Sequence, residues 1–193
     1  MEFCFGEARR NADDADVFLG QFAAKADRER VDGAFACGVP GVFAGTADGG
    51  CARGDIDDDA ANALKVRLNV RERLRYWHCD IRDINALQST IGTAAKAHGG
   101  KLDVYIGNAA NDVRHAFDEL TPEFWDNNQA INLRPQVFGA QAAARLMQSG
   151  GSIITTGSVS WMRRRPGFVS YTTSKAAIHG FTRTLAQELG PRG

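Results

Sequence analysis

Hydrophobic and polar positions follow two different regimes along this chain, and the change falls near Asp55. Beyond it the pattern is regular. Asp57 to Asp59 place acidic and capping residues ahead of AANALKVRL, the start of an amphipathic helix. LRYWHC over 74–79 predicts a strand, INALQSTIGTAAKAH over 84–98 a helix ended by Gly99 and Gly100, and LDVYIGNA over 102–109 a second strand. Thr121 and Pro122 cap and open one long helix through about Met147. GSIITTGS over 151–158 predicts a third strand, and VSYTTSKAAIHGFTRTLAQEL over 169–189 a helix stopped by Gly190 and Pro191. Strands alternating with helices of this length imply right-handed crossovers and an α/β fold, a parallel sheet with helices on both faces. Ligands of such sheets bind beyond the carboxyl ends of the strands.

Before Asp55 the periodicity fails. Residues 1–54 contain one Leu (Leu19) and no Ile, yet hold nine of the 21 Gly and six of the 11 Phe. VFLGQFAAKADRERV offers a short helix, while GVPGVFAGTADGGCARG reads as loop. The chain therefore divides into an anomalous N-terminal region, 1–54, and an α/β region, 55–193.

Composition narrows the function classes. A content of 44% hydrophobic and 24% charged residues is that of a globular chain with a core. The 23 basic and 23 acidic side chains cancel, so no overall field draws the molecule to nucleic acid or an anionic membrane. Small molecules are the better partners. Cys4, Cys37, Cys51 and Cys79 show neither C-x-x-C pairing nor histidines at metal spacing, which argues against a metal site or disulfide framework and favours reduced thiols in a cytoplasm. MEFCFGEARR is no secretory signal, and no stretch has the length of a transmembrane helix.

Candidate chemistry gathers late in the chain. Tyr171 and Lys175 form Y-x-x-x-K, and four-residue spacing on a helix puts both on one face. An ammonium there favours phenolate and brings Tyr171 toward use as an acid/base near neutrality. With three Tyr and five Lys in the chain the spacing alone is weak, and an exposed pair is the bland alternative. Ser158 strengthens it, because it ends the strand before that helix, where its hydroxyl can hold a substrate oxygen. Asn132 adds a polar group within a helix, where its ordinary role is a local hydrogen bond.

Taken in order, Asp80 in CDIRD, Asn108 in GNAA, Asn132 in INL, Ser158 in GSVS, and Tyr171 with Lys175 in YTTSK resemble the short-chain dehydrogenase/reductase family over residues 55–193. The resemblance implies a Rossmann-like doubly wound parallel sheet, incomplete here at both ends, and NAD(P)-dependent interconversion of a hydroxyl and a carbonyl. It implies Tyr171 as catalytic acid/base, Ser158 orienting the substrate, and Lys175 lowering the Tyr171 pKa and binding the nicotinamide ribose. Asn132 would hold a water in a proton relay, Asp80 and Ile81 would contact adenine, and Asn108 with Ala109 would support the cofactor. Asp55, 25 residues before Asp80, resembles the acidic residue that binds the adenosine ribose and favours NAD over NADP. The alternative for Asp55 is a helix cap. The family also implies a homo-oligomer for its intact members.

Within the family, NAANDVRH, INLRPQVFGAQA and TTGSVSWM look most like bacterial pentose or hexose 1-dehydrogenases, which would put Asn111, His115 and Trp161 near a sugar pocket. Structural alternatives are a wall for Trp161 and a loop cap for His115. Arg163 to Arg165 form either a solvated run or an anion contact. Two departures stand out. The family opens with a hydrophobic strand and T-G-x-x-x-G-x-G, absent here, and has Asn-Asn-Ala-Gly where this chain has Gly107, Asn108, Ala109 and Ala110. The abrupt onset near Asp55 suggests a frameshift, a misassigned start or a partial gene. A catalytically silent fragment acting as an interaction module, and an epimerase-like relative, are the competing readings.

Overall fold

The computed structural model describes residues 42–45, 51–55, 58–59, 62 and 74–193. The short helix offered by VFLGQFAAKADRERV and most of the helix beginning AANALKVRL lie outside them. Among the described residues five strands form one sheet: β1 Val42–Gly45, β2 Cys51–Asp55, β3 Leu74–His78, β4 Leu102–Gly107 and β5 Met147–Thr155. The helices bounded within the described residues are α1 Ile84–Ala97, α2 Pro122–Asn132, α3 Arg134–Leu146 and α4 Val169–Leu189, with 3-10 turns at Phe117–Glu119, Val159–Trp161 and Gly190–Arg192.

The strand order is β3-β2-β1-β4-β5. β2 pairs parallel with β3, and β4 parallel with β5. β1 is antiparallel to both of its neighbours, β2 and β4. Four strands therefore share one direction and the central one runs against them. The reason lies in the connection: residues 46–50 are too few for the crossover that a parallel pair requires, so consecutive neighbours close as a hairpin. Val42 sits opposite Gly107 and Gly54, and Gly45 opposite Val104 and Cys51. β1 thus begins at the carboxyl edge of the parallel strands and finishes at their amino edge.

This corrects the reading of GVPGVFAGTADGGCARG as loop, since both β1 and β2 lie in it. Its Gly and Ala content gives little strand signal, but a strand flanked on both sides is held by its backbone ladders, and neighbours override propensity. A Cβ on Gly54 would meet the Cys79 Cβ at 3.4 Å, so β2 lies close against its surroundings. β2 also spans the compositional boundary at Asp55.

The predicted long helix from Thr121 is likewise corrected. It breaks at Leu133, giving α2 and α3, and β5 starts directly at Met147 rather than at Gly151. Pro135 lacks the N–H that would bond the Ile131 carbonyl, and its ring disfavours a straight continuation. By contrast α1 and α4 match their predicted spans closely. Asp83 caps α1 by accepting from Asn85 and Ala86 N–H, and Gly99 and Gly100 end it at φ 83° and 84°, with Gly100 N–H donating to Ala95 O at 2.8 Å.

One hydrophobic cluster joins Leu87, Ile91, Ala94 and Ala95 of α1, Leu102 and Tyr105 of β4, and Ala140, Ala142 and Ala143 of α3, with Phe181 and Leu185 of α4 against it. Burial of each large aliphatic side chain there contributes about 1.5 to 3 kcal/mol. Small residues on α3 bring that helix close to the sheet. A Cβ on Gly139 would overlap the Tyr105 hydroxyl, and one on Gly107 would overlap the Gln136 carboxamide. Gln136 is buried and fills the space above Gly107, which accounts for glycine where the resembled pattern carries Asn. No described helix is long and apolar enough to cross a membrane.

Candidate active site

Ser158 lies three residues past the end of β5, extended at φ −158°, and opens the 3-10 turn Val159–Trp161. Its Oγ accepts from Ser160 N–H at 3.1 Å and lies 2.6 Å from Ser160 Oγ. That turn fixes the Ser158 rotamer locally, and the S-x-S spacing in GSVS was the available signal for Ser160, which sequence reasoning passed over.

Tyr171 stands in the first turn of α4, half-buried, with its phenol near the Ser158 hydroxyl. Burial pushes the phenol pKa up, the nearby Ser158 hydroxyl opposes that, and the Asp112 carboxylate adds to the rise. The direction is upward, against the lowering attributed to Lys175. Lys175 comes one turn later, 1% exposed, with Nζ 5.7 Å from the centre of the Tyr171 ring. Its ammonium donates to Thr156 O at 2.7 Å, and burial lowers its pKa to about 8. Desolvation thus moves both groups toward their neutral forms.

Thr156 is the joint of this arrangement. Its N–H donates to Gly107 O at 3.1 Å and its Oγ1 to Asn108 Oδ1 at 3.2 Å, while its carbonyl takes Lys175. The ends of β4 and β5 and the buried lysine of α4 are therefore tied through one residue. Ala109 packs, partly buried, against the hydrophobic cluster.

Asn132, fully buried at the end of α2, donates from Nδ2 to Asn111 O at 2.8 Å and to Asn128 O at 3.1 Å, and accepts from Asn111 N–H at 2.9 Å. The first and third bonds hold the loop after β4, and the second is the local helix bond foreseen as its ordinary role. Asn111 turns its own side chain back to accept from Val113 N–H at 2.9 Å.

The remaining candidates have other partners. Asp80 is bound by Arg82 through a 2.6 Å ion pair, which holds its carboxyl below the usual range, and the Ile81 side chain is in the core. Asp55 ends β2 opposite His78, at the carboxyl edge of the parallel strands. Trp161 lies against His179, ring centres 6.4 Å apart. His115 meets Ser170 of α4 and Phe124 of α2. Arg163 to Arg165 are exposed. A cavity of about 310 Å³ between β5 and the C-terminal half of α4 is lined by none of Ser158, Tyr171 or Lys175.

The family model described as short chain dehydrogenase matches residues 50–193. The chain belongs to the short-chain dehydrogenase family. Among its relatives, this chain is 36% identical over 163 residues to a D-xylose 1-dehydrogenase of Caulobacter vibrioides, covering 80% of this chain and 64% of that one. It is 36% identical over 141 residues to a probable galactose dehydrogenase of Rhizobium meliloti, covering 71% and 55%. A short chain dehydrogenase from Burkholderia cenocepacia, solved in complex with NADP, superposes with a TM-score of 0.69 at 33% identity, covering 74% of this chain and 59% of that one. The chain thus spans less than two thirds of the length of these relatives.

Proposed function

We propose that Ser158, Tyr171 and Lys175 are the proton-transfer site of a hydroxyl/carbonyl oxidoreductase, with an aldose oxidised at its anomeric hydroxyl as the substrate class. The observation that carries this reading is the Tyr171 phenol near the Ser158 hydroxyl, with the buried Lys175 Nζ 5.7 Å from the centre of its ring. In the oxidative direction the substrate O–H proton passes to the Tyr171 phenolate, giving the phenol. Ser158 Oγ holds the substrate oxygen beside that phenol, and the Lys175 ammonium stabilises the phenolate while it exists. The sugar assignment is supported by the likeness to a D-xylose 1-dehydrogenase and a probable galactose dehydrogenase.

The family uses NAD(P). Lys175 and Asn108 meet at Thr156, with Tyr171 one helical turn from Lys175, which supports the nicotinamide-ribose end of such a cofactor, with Asp55 and Asp80 as candidates for the adenosine end. The pyrophosphate end does not fit. A dinucleotide of this fold class rests on a glycine turn leaving the carboxyl edge of the central strand into a helix N-terminus. Here β1 leaves that slot at the opposite edge, because Gly45 lies beside Val104 and Cys51. The reading is therefore one of proton transfer by this chain's own residues.

The test is a chain in which a forward strand, glycine turn and helix replace residues 1–54, assayed for aldose-dependent NAD(P) reduction. Tyr171→Phe in that background is expected to lose roughly 100-fold or more in kcat with cofactor affinity unchanged. Equal turnover in the two chains removes Tyr171 from the chemistry.

A further inference from the structure

We propose that His115 is a positioning residue that caps the N-terminus of α4 from the loop after β4 and thereby holds Tyr171 against Ser158. This rests on the role given above to Tyr171. Helix N-termini leave N–H groups without intrahelical partners, and Ser, Thr, Asp or Asn at the N-cap usually supplies the acceptor. The N-cap of α4 is Phe168, which has no side-chain acceptor. His115 Nε2 stands in that place instead, 3.5 Å from the N–H of Ser170, the residue directly before Tyr171.

At that length the bond is weak by itself, and its neighbours decide whether it matters. His115 N–H donates to Gly167 O at 3.1 Å, and the Arg114 guanidinium lies 4.8 Å from the centre of the Phe168 ring. Gly167 takes φ 79°, and a Cβ there would meet His115 O at 3.5 Å, so the two backbones run close together. The imidazole edge rests on Phe124 of α2 with ring centres 4.8 Å apart. Two successive loop residues thus grip three residues at the start of α4. Phe168 in turn lies with its ring centre 6.0 Å from that of Tyr171.

The tautomer follows from the partners. Nδ1 lies 3.1 Å from Ala116 O, which can only accept, so Nδ1 carries the proton and Nε2 is left as the acceptor for Ser170. The other end of the loop is anchored at Asn111 by the two bonds from Asn132. Residues 111–115 therefore form a strap between the end of α2 and the start of α4, and Asn132 and His115 are its two fastenings. This places His115 in a structural link to Tyr171 rather than in contact with a sugar.

The experiment is nitrogen NMR and amide hydrogen exchange on the 193-residue chain, its His115→Phe variant and its His115→Gln variant. The parent should show a protonated Nδ1 and an unprotonated Nε2. His115→Phe keeps the ring against Phe124 but removes the acceptor, and should speed Ser170 amide exchange about fivefold and move the Tyr171 titration midpoint. His115→Gln restores an acceptor and should return both toward the parent. In the chain carrying the forward strand unit, His115→Phe should lower kcat with little change in the aldose KM. The opposite tautomer, or Ser170 exchange indifferent to both substitutions, overturns the proposal. So does a raised aldose KM with unaltered exchange, which would make His115 a substrate contact. Faster Ser170 exchange beside an unaffected Tyr171→Phe enzyme would leave the cap standing and remove the role given to Tyr171.

Discussion

The two ends of the described sheet differ in what direction means for them. From β4 to α4 the chain runs as strand, helix pair, strand and helix, and every group around Tyr171 comes from that continuous stretch. Ser158 and Thr156 follow β5, Asn108 follows β4, Lys175 sits on α4, His115 lies in the loop between β4 and α2, and Asn132 at the end of α2 holds that loop. The β1–β2 end is built differently. Its central strand is present in position and reversed in polarity, paired on both sides yet delivering its turn to the wrong edge. Filling a slot in a sheet requires only backbone partners, whereas presenting a phosphate site requires that the strand exit at a given edge into a helix. The first condition is met without the second, so a proton-transfer site and a dinucleotide anchor can part company within one sheet.

The comparison breaks most decisively on cofactor binding. Fluorescence titration of the 193-residue chain with NADH should give no saturation below about 1 mM, since the reversed strand withdraws the glycine turn. Micromolar saturation would show that the two ends of the sheet do work together and that the anchor lies outside the described residues.

A smaller effect sharpens the picture of the β4–α4 end. Lys175 has a pKa of about 8 when folded against 10.5 as the ordinary value. Between those pH values the unfolded chain binds the extra proton, so stability contributed by this position rises with pH across that window and is flat below it. Urea unfolding of the chain and of Lys175→Met at the two ends of the window should show their difference in stability changing by about 3 kcal/mol. A difference independent of pH would mean that Lys175 is solvated, and with it the Tyr171 site.

The smallest effect concerns the packing that holds β4 under α3. Gly107→Asn should destabilise the chain by about 1 to 3 kcal/mol, because the new side chain enters the volume held by Gln136. Adding Gln136→Ala should recover most of that loss, as a double-mutant cycle measures directly. Additive losses would separate the two positions and leave Gly107 unexplained.

Local chemistry along the chain determined much of this molecule. Asp83 with Gly99 and Gly100 bounded α1, Thr121 with Pro122 opened α2, and Val169 to Leu189 formed α4 over the predicted span, because caps and apolar spacing act within a few residues. The Tyr171–Lys175 spacing fixed their shared face for the same reason, and the ordered motifs from Asp80 to Lys175 identified the family. The break at Leu133 was also written locally, in Pro135, and was outweighed by the apolar pattern on either side of it. Tertiary structure alone decided the rest. Nothing local in Val42–Gly45 encodes polarity relative to β4, since a strand offers donors and acceptors in either direction and its partners choose. The roles of His115 toward Ser170, Gln136 over Gly107 and Lys175 on Thr156 join positions distant in sequence. Burial then set the Tyr171 and Lys175 pKa directions, because desolvation depends on everything packed around a group rather than on the charge one turn away.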